Sequence, residues 1–154
     1  MPDAKPTEVL FYHLERTPLE RVLPELLEKT LERGWRAVVQ ISSRERLEAL
    51  DAALWTYREE SFLPHGMADD DAAGAQPIIL TTGTDTPNGA TIRFFVDGSD
   101  TEDLTLFERA VYLFDGRDEA AVAQARKQWS RAREAGHDVS YWQQNAQGKW
   151  ENKA

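Results

Sequence analysis

Arg126, Lys127, Arg131 and Arg133 put four cations in one short stretch of a chain whose formal net charge is −9. On a helix, Arg126, Trp129 and Arg133 stand at i, i+3 and i+7 and share one face. Two guanidiniums beside an indole suit a ligand that carries both carboxylates and an apolar anchor. The planar forks pair with the carboxylates and the ring supplies an apolar wall. Cations near a helix C-terminus are also favoured by the helix dipole, and Trp129 could be plain core, so the residues alone leave both readings open. Trp55, Phe62, Pro64 and His65 mark a second candidate surface. That much aromatic and apolar area fits an interface, and equally a loop that closes over its own core.

Other chemistry finds little support. His13, His65 and His137 are far apart in the chain, and none has the i, i+4 spacing or the carboxylate cluster of a metal site. Asp69-Asp70-Asp71 lacks the alternating ligands and later Glu of a calcium loop, so it reads as a solvated loop. Ser61 and His65 could be drawn as nucleophile and base, but no Gly-x-Ser-x-Gly elbow is present. The absence of Cys excludes thiol catalysis, Cys-ligated zinc and iron–sulfur clusters. No catalytic residue, cofactor or metal is therefore assigned.

These residues need elements to position them. Glu8 to His13 is short, apolar and aromatic and predicts a strand. Leu19, Val22, Leu23, Leu26, Leu27, Thr30 and Leu31 recur at helical spacing until Gly34. Pro24 falls within that pattern, either in the first turn of the main helix or at a kink. Ala37 to Ile41 is almost continuously apolar, as in a strand covered on both faces. Ser42 or Ser43 caps a helix from Arg44 to about Trp55, with Leu47, Leu50 and Leu54 inward. Residues 61–67 read as an apolar loop and 69–74 as a polar loop tip. Strands are predicted over 77–81 and 91–96, a turn at 86–89, and a strand at 111–114 after a helical start at Phe107. Glu119 to Ala135 is a helix stopped by Gly136, with Ala121, Val122, Ala125 and Ala132 as its buried stripe. The tail, 139–144, is short and aromatic.

Strands alternating with helices imply a mostly parallel sheet. The expected fold is α/β, a three-layer Rossmann-like domain lacking a nucleotide-binding Gly-rich loop. The turn after the first strand, His13 to Pro18, holds no Gly, and no Gly-Lys-Ser or Gly-Lys-Thr occurs. A nucleotide-binding enzyme on this fold remains the rival reading, by fold analogy. The 154 residues fit one domain spanning 1–154, with 1–6 and 151–154 expected to be flexible. A net charge of −9 repels nucleic acid, so no direct DNA contact is expected. No apolar run approaches a membrane span and no secretory signal opens the chain, so the expected compartment is the cytoplasm.

Several segments together resemble the chi subunit of bacterial DNA polymerase III holoenzyme. They are Val9-Leu10-Phe11-Tyr12, Leu50 to Trp55, Ser61-Phe62-Leu63-Pro64-His65-Gly66, Gln76 to Leu80, Asn88-Gly89-Ala90, Phe107-Glu108-Arg109, Leu113-Phe114-Asp115-Gly116 and Gly136-His137. The Leu-Trp … Phe-Leu-Pro-His string is the most specific, and the order of all segments agrees. The resemblance implies a non-catalytic, clamp-loader-associated subunit with a Rossmann-like fold and no nucleotide site. It implies binding of the acidic C-terminal tail of single-stranded DNA-binding protein (SSB), which ends in Asp residues and a terminal Phe. Carried onto this chain, the tail site is Arg126, Trp129 and Arg133. Ser130 stands where some members have a Lys, which implies weaker or redistributed contacts. A second implied partner is the psi subunit, on Trp55, Phe62, Pro64 and His65. The chain alone is expected to be a monomer.

Overall fold

The computed structural model of the protein describes residues 6–56, 64–70, 72–101 and 103–153. The elements run β1 (Glu8–Leu14), α1 (Leu19–Glu32), β2 (Ala37–Gln40), α2 (Arg44–Trp55), β3 (His65–Met67), β4 (Ile78–Thr81), β5 (Ile92–Phe95), β6 (Arg109–Asp115), α3 (Glu119–Glu134), β7 (Asp138–Gln144) and β8 (Trp150–Asn152). Short 3₁₀ turns lie at Ala73–Ala75 and Leu104–Leu106. The strands form one sheet in the order β3-β4-β2-β5-β6-β1-β7-β8, parallel throughout except for β8 on β7. This is the α/β, mostly parallel, Rossmann-like architecture that the alternation of strands and helices predicts.

The sheet has a core on each face because its central strands are apolar at successive positions. On one face, Leu10, Val39, Ile41, Leu80, Phe94 and Val111 meet α1 through Val22, Leu23 and Leu27 and α2 through Leu47, Leu50 and Leu54. On the other face, Val9, Phe11, Phe95, Ala110 and Tyr112 meet α3 through Ala125 and Ala132. Leu23 and Leu27 are fully buried, a contribution of roughly 2 kcal/mol each from area removed from water. Two helices on one face and one on the other make the three layers.

Local signals set the helix ends. Ser43 is the cap of α2, its side chain accepting from the Arg46 amide at 3.3 Å. Asp118 caps α3 by accepting from the amides of Ala120 (3.0 Å) and Ala121 (3.4 Å). Gly136, at φ 85°, ends it in the left-handed conformation that a side chain would strain. Pro24 lies inside α1 and is buried there. It removes one amide donor from the helix, and the sheet contacts on either side of it hold the helix together.

The structure departs from the sequence reading in four places. The turn before β6 is the 3₁₀ turn Leu104–Leu106, and β6 begins at Arg109 where a helical start is expected. His65–Met67, expected in a loop, pairs with Ile78, Ile79 and Leu80 as an edge strand too short to show alternation. The aromatic tail is β7, paired with β1 from Glu8↔Asp138 to His13↔Gln143. Trp150–Asn152, next to the end read as loose, folds back as β8 on Trp142, Gln143 and Gln144.

Candidate protein-docking site

The α3 side chains divide according to what they meet. Ala125, Gln128 and Ala132 are buried against the sheet, and Trp129 is partly buried beside them. Arg126, Ser130 and Arg133 are exposed. Arg131, a quarter turn or more away on the helix, bonds to the Asp100 carboxylate and is used internally. Among the described residues neither Arg126 nor Arg133 enters an ion pair, so their guanidiniums stay available. The Arg133 guanidinium lies 5.8 Å from the centre of the Trp129 ring, within cation–π range.

Strand pairing completes this face. Phe11 on β1 is opposite Tyr141 on β7, and both rings touch Trp129 edge-on, at 5.7 Å and 5.9 Å between centroids. Trp129 is thus partly core and partly surface: one edge rests on two aromatic rings while the rest lies between exposed arginines. Tyr141 is fixed in turn. Its hydroxyl bonds to His13 Nδ1, and His13 Nε2 lies 2.9 Å from Glu15 Oε1. A carboxylate only accepts, so Nε2 carries a proton and donates to Glu15. Burial raises the Tyr141 pKa above its usual value; nearby Arg126 lowers it and Glu15 raises it further. The phenol therefore stays neutral.

Gly116 explains the Asp-Gly pair after β6. A Cβ there would stand 1.9 Å from His13 Nε2 and 2.1 Å from its Cδ2. The Nε2–Cδ2 edge of the imidazole comes up against the glycine, and only hydrogen leaves it room.

The second candidate surface forms at the opposite edge of the sheet. Trp55 ends α2 and is 50% exposed, against full burial for most of the core. Its ring lies 4.2 Å from that of His65, whose side chain is completely buried and bonds through Nε2 to Asp51 Oδ1 at 3.0 Å. Pro64 is partly buried just before His65. Phe62 lies outside the described residues. The sheet order puts β3 at one end and β7 six strand spacings away, a separation of about 29 Å. The two surfaces also use helices from opposite faces.

A nucleotide reading has a cleft at the carboxyl ends of β1, β5 and β6, where Rossmann-like folds bind ligands. It lacks the phosphate cradle, because the Asp118 carboxylate already takes the first amides of α3. Among the described residues no group of His, Asp and Glu could hold a metal ion. No helix among them is long and apolar enough to cross a membrane.

The family model described as "DNA polymerase III chi subunit, HolC" matches residues 7–140. The chain belongs to this family. One relative, a "Probable DNA polymerase III subunit chi" of Rickettsia prowazekii, is 26% identical over 111 residues, covering 68% of this chain and 67% of its own length. Another, a "DNA polymerase III subunit chi" of Pseudomonas aeruginosa, is 32% identical over 63 residues, covering 41% of this chain and 43% of its own. The family associates the chain with DNA replication.

The chi-family match spans both candidate surfaces, except for the last strands beyond residue 140. Helical spacing alone brings Arg126, Trp129 and Arg133 together. Phe11, His13, Gly116 and Tyr141 are absent from the sequence-based site. The one local signal for Tyr141 was the alternation of Val139 and Tyr141 with Ser140 and Trp142, which marks a strand with an aromatic on each face.

Proposed function

We propose that this chi-family protein is a non-catalytic adaptor of the replicative polymerase III assembly. On this reading it binds the acidic C-terminal tail of SSB and tethers the polymerase to SSB-coated single-stranded DNA. The observation that carries the reading is the α3–β7 face. There an indole held edge-on by Phe11 and Tyr141 lies beside two arginines that no carboxylate engages among the described residues. A terminal Phe stacks against the Trp129–Tyr141 edge, and Arg126 and Arg133 take its carboxylate and the preceding Asp side chains. Ser130 is exposed on the same face and supplies no charge, so both arginines carry the load. The partner psi docks on Trp55 and Pro64, with the buried His65 ring backing the indole, about 29 Å away by strand spacing. A chain with docking faces at opposite sheet edges can hold two proteins at once. SSB presents several tails, and multivalency raises the effective concentration at each site.

The test is calorimetric titration with a short acidic peptide ending in Phe, beside the same peptide lacking that Phe. Only the first should bind, more weakly at higher salt. Arg126 is exposed and makes no ion pair among the described residues, so Arg126→Ala leaves the fold intact. Loss of a charge-assisted hydrogen bond of about 1.5–3 kcal/mol weakens tail binding at least tenfold. Trp129→Ala removes the apolar wall and abolishes most binding. Wild-type affinity in both variants would show that the tail docks elsewhere.

A further inference from the structure

A titratable group lies directly behind the α3–β7 face. His13 is only 8% exposed, and side chains engage both of its ring nitrogens. Nε2 donates to Glu15 Oε1 at 2.9 Å, and Nδ1 bonds to the Tyr141 hydroxyl. Nε2 needs its hydrogen in either charge state of the ring, because a carboxylate only accepts. An imidazole is the side chain that gains or loses a proton between about pH 5 and 8. Here that proton is the one on Nδ1, the atom that meets the phenol.

The Nδ1 proton decides which way the Tyr141 O–H points. With Nδ1 bare, the ring accepts from the phenol, whose single hydrogen is then used and whose free lone pair faces away from His13. With Nδ1 protonated, the ring donates to the phenol oxygen, and the O–H turns outward. Outward lies the docking face. The half-buried Tyr141 ring meets Trp129 edge-on at 5.9 Å. Burial raises the phenol pKa, while the nearby Arg126 guanidinium lowers it and Glu15 raises it. From β6 and its turn, Phe114 brings an uncharged ring at 5.2 Å and Gly116 only backbone. Asp115 is taken by Arg117, and Asp118 by the first amides of α3. Among the described residues, Glu15 from β1's end, Tyr141 from β7 and Arg126 from α3 are the titratable or charged groups around this imidazole–phenol pair.

We infer that His13 is a positioning residue that sets the hydrogen-bonding sense of Tyr141, so that the Trp129–Arg126 face takes a carboxylate more tightly in acid. Beside an imidazolium, the phenol offers a donor next to Arg126, and a carboxylate of the ligand accepts from both. Beside a neutral imidazole, the phenol turns a lone pair to the same place, and a carboxylate finds no donor there. The inference rests on the tail-binding reading and adds to it a third contact, Tyr141, and a proton taken up on binding. Protonation and binding are linked, so each favours the other by the same factor.

The experiment titrates the full chain with an N-acetylated acidic peptide ending in Phe, by calorimetry between about pH 5.5 and 8.5, in two buffers of different ionisation enthalpy. The peptide's carboxylates stay ionised over that range, so it adds no step of its own. The expected Kd is about tenfold lower at the acid end, the gain of one hydrogen bond to a charged group. Heat differences between the buffers should show proton uptake near neutral pH. His13→Gln and Tyr141→Phe should each hold the affinity at the wild-type alkaline value across the range. Tyr141→Phe keeps the buried imidazole, so a pH step that persists in it would mean that His13 acts by charge alone, and overturns the inference. His137, just after α3, is the control: His137→Gln should keep the step, and its loss there would assign the proton to the wrong ring. Tail binding with a flat wild-type profile sinks the inference and leaves the tail reading standing; no binding at any pH sinks both.

Discussion

Replacing Gly116 by Ala tests the construction of the α3–β7 face through one contact. The new Cβ would lie 1.9 Å from His13 Nε2, far inside contact distance, with the imidazole against Phe114 at 5.2 Å and Tyr141 at 5.8 Å. The ring must turn away and give up its bonds to Tyr141 and Glu15. Two side-chain hydrogen bonds at about 1 kcal/mol each, plus an off-rotamer imidazole at about 1 kcal/mol, come to about 3 kcal/mol. The decisive measurement is the same substitution in a His13→Ala background. There the obstacle is gone. Gly116 does not have a positive φ, so an alanine fits and narrows the unfolded ensemble. The sign reverses, and Gly116→Ala stabilises the His13→Ala protein by about 0.4–1 kcal/mol. Urea denaturation of the four proteins, followed by tryptophan fluorescence, gives the coupling directly. A loss of equal size in both backgrounds would mean that Gly116 acts through its own backbone and that the imidazole packing is misread.

Other outcomes follow from the same geometry. Tyr12, Tyr112 and Tyr141 all have pKa values above the usual 10.0, chiefly through burial. Below about pH 10 both folded and unfolded states keep these protons; above it the unfolded chain loses them first, and stability falls with rising pH until each folded-state pKa is reached, over the widest range for the deeply buried Tyr112. Urea melts on both sides of that pH, with tyrosinate absorbance, check this, and a flat alkaline limb would contradict it. Asn88 is buried and donates to the carbonyls of Ala37, Gln76 and Pro77 while accepting from the Ala90 amide. Asn88→Ala leaves those groups unpaired and should lower unfolding free energy by about 2–3 kcal/mol in urea melts. Trp55→Ala should abolish binding to psi in a pull-down and leave acidic-tail affinity unchanged, since the two faces lie at opposite edges of the sheet.

Much of this protein is legible from local spacing. A helix or strand places side chains relative to its own backbone, so three to four residues of context are enough to read a face. Hence Val22, Leu23 and Leu27 are visible as the buried stripe of α1, and Arg126, Trp129 and Arg133 as one surface of α3. Ser43 and Asp118 announce helix starts for the same reason, since each bonds to amides two or three residues away. The missing Gly-rich turns likewise argue against a phosphate cradle without any structure.

Tertiary structure decided what those faces meet. His13 and Tyr141 are 128 residues apart, and they touch because the crossover through α3 lays β7 beside β1 in parallel register. Spacing along the chain carries no information about that neighbour. Arg131 and Arg133 look alike in sequence; only the fold sets the first against Asp100 and the second beside the Trp129 ring. The three residues of β3 are a strand because β4 pairs with them. Side-chain period is a property of one element, whereas strand order depends on how the whole chain is wound. The sequence could therefore name the arginines and the indole of the candidate face, and only the fold could supply the rings, the histidine and the glycine that hold them in place.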